Sequence, residues 1–263
     1  MGGHLEERAA ASESLGNACY KSGIDAQRAA GYFRQSLGFY QELGNQRKTA
    51  TIHSQLGREH MHSGNLGVQD LSTALEHFQQ AEEILEQEPE GVPHGMVHCG
   101  MAMAHLDRLD LKAALASANR ALEIGERLGA GAVIAYAAAP LGAALALSDV
   151  PDADEILEQG WANSIESKLG FQADLNRAQA AHIFGVIMKD PITGFDWTGR
   201  GSDYDTTYSL FDIPAHQVAF HALKGEFDDA NRALRELQSR LSALGQPSFG
   251  LWPDEMGLLW LRT

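Results

Sequence analysis

Histidine is the residue type in this chain best suited to metal chemistry, and the sequence contains 11 of them. His94 and His98 stand at i, i+4 spacing, which places two imidazoles on one helical face, and Cys99 and His105 follow closely. A zinc site needs three or four ligands, yet no second pair has recognisable spacing and no HExxH motif occurs. We therefore expect neither a native metal site nor a bound cofactor.

Covalent catalysis needs a positioned nucleophile, and the sequence offers no recognisable motif for one. The GxSxG nucleophile elbow is absent, and so is the phosphate-binding pattern GxxxxGK followed by Ser or Thr. Carboxylate pairs such as Glu82-Glu83 are common in an acidic chain and indicate solvated helix faces. The sequence favours a binding protein over an enzyme without deciding between them.

The segment from Asp190 to Asp212 interleaves aromatic and acidic residues with glycines and Pro191. This pattern predicts a non-helical excursion in which Phe195 and Trp197 are substantially buried, because an exposed aromatic cluster is a liability. Two interpretations stay open: a binding element for a stacking or cationic ligand, or a structural cover for neighbouring helices. The segment's candidate binding residues are Phe195, Trp197, Arg200 and Tyr204.

Composition and charge exclude several classes of protein. The 263 residues are 44% hydrophobic, enough for a sizeable core, and carry a net charge of −15 that repels nucleic acid and anionic membranes. The uncharged stretch 129–148 is rich in Ala and Gly and contains Pro140, which favours a buried helix over a membrane span. Cys19 and Cys99 lack disulfide-type spacing and indicate reduced thiols in a cytoplasmic protein.

A repeated small-residue pair organises the whole chain into helical units. The pair recurs every 41 to 43 residues, at Leu15-Gly16, Leu56-Gly57, Cys99-Gly100, Leu141-Gly142 and Phe184-Gly185. A second marker, Leu-Gly, is expected to close a helix at Gly44, Gly129, Gly170 and Gly245, and further glycines mark turns at Gly23, Gly64 and Gly225.

Each unit continues with a second amphipathic helix that carries small and aromatic residues at helical spacing. One example is Ala74, Phe78 and Ala81, and Ala29, Phe33 and Ser36 form another. Two helices approach closely where one presents Gly or Ala, while a large residue one turn away fills the adjoining groove. The pattern therefore predicts helix pairs in close contact.

These features resemble the tetratricopeptide repeat family, and the closest local match runs from Lys224 to Ala230 as Lys-Gly-Glu-Phe-Asp-Asp-Ala. The resemblance implies an all-α, right-handed superhelical solenoid of antiparallel helix pairs, with about five to six repeats over residues 9–246. Residues 1–8 are then expected to be a tag or disordered, and residues 247–263 a capping or truncated helix. The long period resembles the repeats of bacterial regulatory ATPases and cyclases, which implies the regulatory part of a larger signalling protein.

In such solenoids the first helices line the concave face, so the resemblance also implies a binding groove. Its N-terminal part is polar and mildly basic, and its later part is apolar, which suits a protein or peptide partner with an acidic end. The sequence does not indicate an oligomeric state. The implied groove residues are Asn17, Tyr20, Lys21, Arg58, Met61, His62, Met101 and His105.

Three functional hypotheses follow. The first is a non-enzymatic scaffold that binds a protein or peptide in the concave groove. The second is a small-molecule sensor with a pocket between the concave face and the segment 190–212, and the third is an enzyme in which that segment forms a lid. Fold alone does not separate them.

Overall fold

The computed structural model describes residues 2–22, 26–62, 70–150, 152–200 and 213–243, and over these residues the chain is helical and contains no strand. The predicted all-α class is confirmed for this part of the chain. The α-helices are α1 (Gly2–Ser22), α2 (Ala26–Glu42), α3 (Gln46–His62), α4 (Leu71–Leu85), α5 (Val92–Asp107), α6 (Leu111–Leu128), α7 (Gly131–Leu147), α8 (Ala153–Glu166), α9 (Gly170–His182), α10 (Pro191–Gly199), α11 (Ile213–Leu223) and α12 (Phe227–Ala243).

The chain divides into two compact units, Met1–Leu141 and Gly142–Thr263. In the first unit α1 packs on α2, α3 on α4 and α5 on α6, and α3 also contacts α5. In the second unit α8 packs on α9, α9 on α10 and α11 on α12. Packing of consecutive helices in pairs is what a helical repeat requires.

The repeated glycines are sites of close helix approach in the first unit. A Cβ added at Gly16 would lie 2.6 Å from the Phe33 ring, and one at Gly57 would lie 2.8 Å from the Phe78 ring. Both rings are almost completely buried, as are Ala29, Ala74 and Ala81. The predicted pairing of a small residue with an aromatic ring is therefore confirmed in these helix pairs.

Glycines also allow close helix contacts in the second unit. Gly142 packs against Leu157, and Gly185 packs against the ring of Phe220 and against Gly194. Gly185 lies in a π-helical segment, Ile183–Ile187, that continues α9. Its backbone includes a bond from the Met188 N–H to the Ile183 carbonyl, which is the i to i+5 pattern of a π-helix.

Helix ends follow the predicted Leu-Gly marker in some places and not in others. Gly44 and Gly129 adopt left-handed backbone conformations, with φ of 66° and 61°, at the ends of α2 and α6. The marker is wrong at Gly170, which begins α9, because the left-handed position falls on Lys168, with φ of 57°. Gly23, Gly64 and Gly245 lie outside the described residues.

Helix α1 begins at Gly2, within the segment 1–8 that was expected to be a tag or disordered. Leu5, Glu6 and Arg8 are good helix formers. Ala9 is fully buried, and its carbonyl accepts a hydrogen bond of 2.9 Å from the Ser36 hydroxyl of α2. This contact holds the first turns of α1 against the next helix.

The predicted non-helical excursion over 190–212 is wrong for residues 191–199, which form α10. The Asp190 side chain caps the helix by accepting hydrogen bonds of 3.2 Å from the backbone N–H groups of Ile192 and Thr193. Pro191 occupies the first turn, where its missing N–H costs nothing. Residues 201–212, and with them the rest of that prediction, lie outside the described residues, as do residues 247–263.

No helix in the described ranges combines the length and the apolar character needed to cross a membrane.

Candidate functional site

Side chains from four helices of the first unit interact electrostatically through Arg58. This residue of α3 interacts electrostatically with Tyr20 of α1, Cys99 of α5 and Tyr136 of α7. We call these four residues the Arg58 cluster. Because the helices involved are the first members of successive pairs, the cluster lies along the row of helices that the sequence predicted to be the binding face.

Burial controls the protonation of this cluster. It raises the pKa of Tyr20 to about 12 and that of the Cys99 thiol to about 12, while the nearby Arg58 charge opposes the rise in both cases. Burial also raises the pKa of Tyr136. At neutral pH both phenols therefore keep their protons as hydrogen-bond donors, and the thiol is not a nucleophile. This chemistry is suited to binding and not to covalent catalysis.

Two amides extend the Arg58 cluster along α1 and α3. The Gln55 side-chain N–H donates to Asn17 Oδ1 over 3.2 Å, and Gln55 lies one turn before Arg58 on the same helix face. The Gln55 Oε1 atom is buried and has no hydrogen-bond partner among the described residues. Glu59, only 3% exposed, lies near Tyr20, and burial raises the pKa of its carboxyl group.

The other predicted groove residues have different environments. Met61 is 3% exposed and belongs to the core around Phe78, so its side chain is not a surface contact. Met101 is half-buried against the same core, and His105 is half-buried with its pKa lowered by burial. Three predicted residues fall outside the described side chains, namely Lys21, His62 and Tyr204.

The histidines singled out for metal chemistry have structural partners instead. His94 Nδ1 accepts a hydrogen bond of 3.2 Å from the Gly91 N–H, and its Nε2 lies 3.0 Å from the Leu85 carbonyl oxygen. The Nε2–H therefore donates to that carbonyl, and both ring nitrogens are in use. Burial lowers the pKa of His98 to about 4, and its Nε2 lies 3.7 Å from Glu82.

A second possible metal-binding group lies at the turn between α11 and α12. Ligand atoms of His221, Glu226 and Asp229 all lie within 4.8 Å of one another. However, Lys224 Nζ lies 2.7 Å from Glu226, and Arg232 bonds to Asp229. A metal ion would have to displace two side-chain cations, so this arrangement reads as an ion-pair network.

The second unit contains a polar and aromatic group centred on Arg200, which follows α10. Its guanidinium carbon lies 3.6 Å from the ring centroid of Trp197 and 5.4 Å from that of Trp161 on α8. The guanidinium also bonds to Glu158, and the Arg200 carbonyl accepts a hydrogen bond from Arg177 of α9. We call these five residues the Arg200 cluster.

Helix α9 supplies two buried polar stripes to this unit. On one stripe Arg177 lies 3.0 Å from the fully buried Asp174, and its own side chain is 7% exposed. On the other, Gln172 donates to Asn176 over 2.7 Å, and Asn176 donates to Ser164 of α8 over 3.2 Å. Each buried polar group without a hydrogen-bond partner costs free energy, so a helix with this many buried polar side chains depends on hydrogen bonds between them.

The aromatic residues of α10 fit the sequence prediction of burial. Trp197 is fully buried, as predicted, and Phe195 is half-buried. Phe195 packs edge-on against Phe220 and His221 of α11, with centroid distances of 5.4 Å and 4.8 Å. The sequence identified Trp197 and Arg200 as site residues but not their partners Glu158, Trp161 and Arg177. A hydrophobic repeat pattern carries no signal for such polar partners.

No protein-family model matches the sequence, and no curated protein is similar enough to count as a relative.

Proposed function

We propose that this protein is a tetratricopeptide-like scaffold, built as a right-handed solenoid, that binds an acidic protein or peptide segment at the Arg58 cluster. The observation that carries the proposal is the electrostatic interaction of Arg58 with Tyr20, Cys99 and Tyr136, which come from three other first helices. A surface assembled from successive repeat units is the kind on which helical-repeat proteins bind extended partners.

The chemistry of the cluster favours a carboxylate. Arg58 carries a fixed positive charge on a planar guanidinium, and charge-assisted hydrogen bonds to carboxylates are among the strongest in proteins. The two phenols add neutral donors, since burial raises the pKa of Tyr20 and of Tyr136. In a chain of net charge −15 such a local cation also distinguishes this surface from its surroundings.

The neighbouring amides favour a peptide as the source of that carboxylate. Gln55 Oε1 is a buried acceptor without a partner among the described residues, and a peptide N–H would satisfy it. The Asn17 Oδ1 atom accepts a hydrogen bond of 3.2 Å from the N–H of the same Gln55 amide and so fixes its orientation. The Gln55 and Arg58 side chains would then hold a peptide backbone and an acidic side chain of the same bound segment.

We further propose a cytoplasmic location and a regulatory role within a signalling protein. Neither Cys99 nor Cys19 takes part in a disulfide, which suits a reducing compartment.

The test is a peptide selection on the immobilised protein from a random phage-displayed library. Selected peptides are resynthesised with each Asp or Glu replaced by Asn or Gln, and their affinities are measured for the wild type and for Arg58→Gln. We expect one acidic position whose neutralisation weakens wild-type binding by about tenfold or more, but leaves the affinity of Arg58→Gln unchanged.

Arg120→Gln is the matched control, because it makes the same change in charge at an exposed position on α6. It should behave as the wild type. The proposal is wrong if neutralising the acidic position weakens binding equally in Arg58→Gln, or if no acidic position emerges from the selection.

A further inference from the structure

Three buried N–H donors in the Arg200 cluster have no hydrogen-bond partner among the described residues. They are Trp161 Nε1, Arg177 Nε and Trp197 Nε1. Trp197 is fully buried, and the Arg177 side chain is 7% exposed. Each buried donor left unsatisfied costs about 1–3 kcal/mol. Native proteins seldom leave several such donors together, so these three indicate an acceptor that occupies the space beside them.

The donors belong to one neighbourhood, although they come from three helices. The Arg200 guanidinium lies against the Trp161 and Trp197 rings at 5.4 Å and 3.6 Å, and the Arg200 carbonyl accepts a hydrogen bond from Arg177. Gln179, whose Oε1 also has no partner among the described residues, is not part of this group. It lies two residues beyond Arg177, on the opposite side of α9.

The charges of the cluster are already balanced. Asp174 lies 3.0 Å from Arg177, and Glu158 bonds to Arg200. The three remaining donors therefore do not face an excess of positive charge, and a carboxylate placed there would add an uncompensated negative charge to a buried site. An uncharged acceptor satisfies the donors without that cost.

The indole faces also limit the mode of recognition. Arg200 lies over one face of Trp197 and approaches one face of Trp161, and the unsatisfied groups of both rings are the N–H groups at their edges. Edge recognition requires a directed acceptor oxygen or nitrogen, whereas face recognition would require a planar or cationic group.

We propose that the Arg200 cluster is a binding site for a small uncharged molecule whose carbonyl or amide oxygen accepts hydrogen bonds from Trp161, Arg177 and Trp197. The site lies in the second unit, is separate from the Arg58 cluster, and does not depend on the function proposed for that cluster. It makes Trp161 and Arg177 binding residues together with Trp197.

The experiment records the indole N–H signals of the full chain by ¹H–¹⁵N NMR spectroscopy, with acetamide as the probe and acetate as its charged counterpart. Trp161→Phe and Trp197→Phe assign the two signals. We expect both signals to shift with acetamide along one saturable curve, and to respond to acetate only at much higher concentration.

Arg177→Lys keeps a positive charge near Asp174 but removes the Nε–H donor. It should weaken the acetamide response of both indoles by about tenfold, as expected for the loss of one buried hydrogen bond. Circular dichroism and the melting temperature of each variant show whether it folds. If a phenylalanine variant is unfolded, Arg177→Lys and the wild type still complete the comparison.

Several results would overturn the proposal. One is the absence of any saturable shift of the Trp161 and Trp197 signals with acetamide. Another is an equal response to acetate and acetamide, or an Arg177→Lys variant that binds acetamide as the wild type does. A third is slow solvent exchange of both indole N–H protons without any probe, together with no shift of their signals on addition of acetamide. That result would mean that the chain itself supplies their hydrogen-bond acceptors.

Discussion

The Nδ1 atoms of His53 on α3 and His77 on α4 lie 3.1 Å apart. One ring must therefore donate and the other accept, so the accepting imidazole is neutral and the two rings cannot both be protonated while the bond is formed. His60, two turns after His53, also stacks on His77, with a centroid distance of 5.5 Å. Three histidines thus line one part of the contact between these two helices.

This arrangement predicts loss of stability in mild acid. Burial, followed by the neighbouring charges, lowers the pKa of His77 from 6.5 to about 4, and burial lowers the pKa of His53 and His60 as well. The unfolded chain therefore binds these protons first, and stability present above pH 6.5 is lost as the pH falls towards 4. We expect urea unfolding to show a loss of about 1 kcal/mol from His77 alone between about pH 7.5 and about pH 5, allowing for its partial exposure.

The variant His77→Asn keeps a nitrogen near the position of Nδ1 but does not titrate, so its stability should fall less over the same pH range. His4→Asn, at an exposed position on α1, should reproduce the wild-type profile. Identical profiles for the wild type and His77→Asn would contradict the prediction.

Replacement of glycine by alanine should have opposite effects on the free energy of unfolding at Gly57 and at Gly38. At Gly57 a new Cβ would lie 2.8 Å from the Phe78 ring and 3.0 Å from the Ala74 carbonyl oxygen, which is backbone and cannot move aside cheaply. Gly57→Ala should lower the free energy of unfolding by about 1–3 kcal/mol. Gly38, exposed in α2 with nothing within 4 Å of a new Cβ, should gain about 0.5–1 kcal/mol as Ala. Urea unfolding measures both, and a Gly57→Ala variant as stable as the wild type would refute the close contact.

The sequence predicted such contacts because they depend on local spacing. A glycine every 41 to 43 residues and an aromatic residue in the next helix identify Gly57 and Phe78 as partners without further information. The end of α8 could not be found in this way. There an exposed lysine, Lys168, adopts a left-handed conformation that its own residue type disfavours, where the Leu169 N–H bonds to the Ser164 carbonyl over 2.8 Å and closes the helix. At α10 the sequence prediction gave more weight to the glycines than to Asp190 and Pro191. In the structure, the Asp190 cap and Pro191 together start a helix.

The hydrogen bond of the Tyr40 hydroxyl should contribute measurably to the free energy of unfolding. Its hydroxyl donates to Glu13 over 2.8 Å, and Lys48 Nζ lies 2.9 Å from the same carboxylate oxygen, so α1, α2 and α3 are joined at one point. Tyr40→Phe should lower the free energy of unfolding by about 1–2 kcal/mol, because the Glu13 carboxylate loses a partly buried donor. Tyr32→Phe, at a half-buried position of the same helix, is the control and should cost less. Equal losses in thermal or urea unfolding would mean that the Tyr40 bond contributes nothing of its own.

Breaking the buried Asp174–Arg177 ion pair should lower the free energy of unfolding more than breaking an exposed ion pair. Both side chains are buried, at 0% and 7% exposure, so Asp174→Asn leaves a desolvated guanidinium without its counter-charge. The expected loss is about 3 kcal/mol. Glu236→Gln breaks the exposed pair with Arg240 on α12 and should cost less than about 0.5 kcal/mol. Chemical denaturation of both variants tests the difference, and comparable losses would show that the buried pair has no special weight.

The two clusters differ in how far the sequence could reveal them. Tyr20 and Arg58 were predicted to share a face because helical register places both on first helices. Tyr136 was hidden in a run of alanines, and Asp174 and Arg177 look like ordinary surface residues of a helix. The burial of Asp174 and Arg177 depends on the packing of α8, α10 and α11 on α9, and no pattern within α9 itself contains that information.

Phe78 has a role beyond its own helix pair, because a Cβ added at either Gly57 of α3 or Gly100 of α5 would collide with its ring. A single side chain of α4 thus fills the closest contact within one pair and the closest contact with the next. Local melting of α4 would remove packing from both neighbours at once, so their backbone amides should become exchangeable together and not pair by pair. We therefore expect the Phe78 ring to couple the unfolding of α3, α4 and α5.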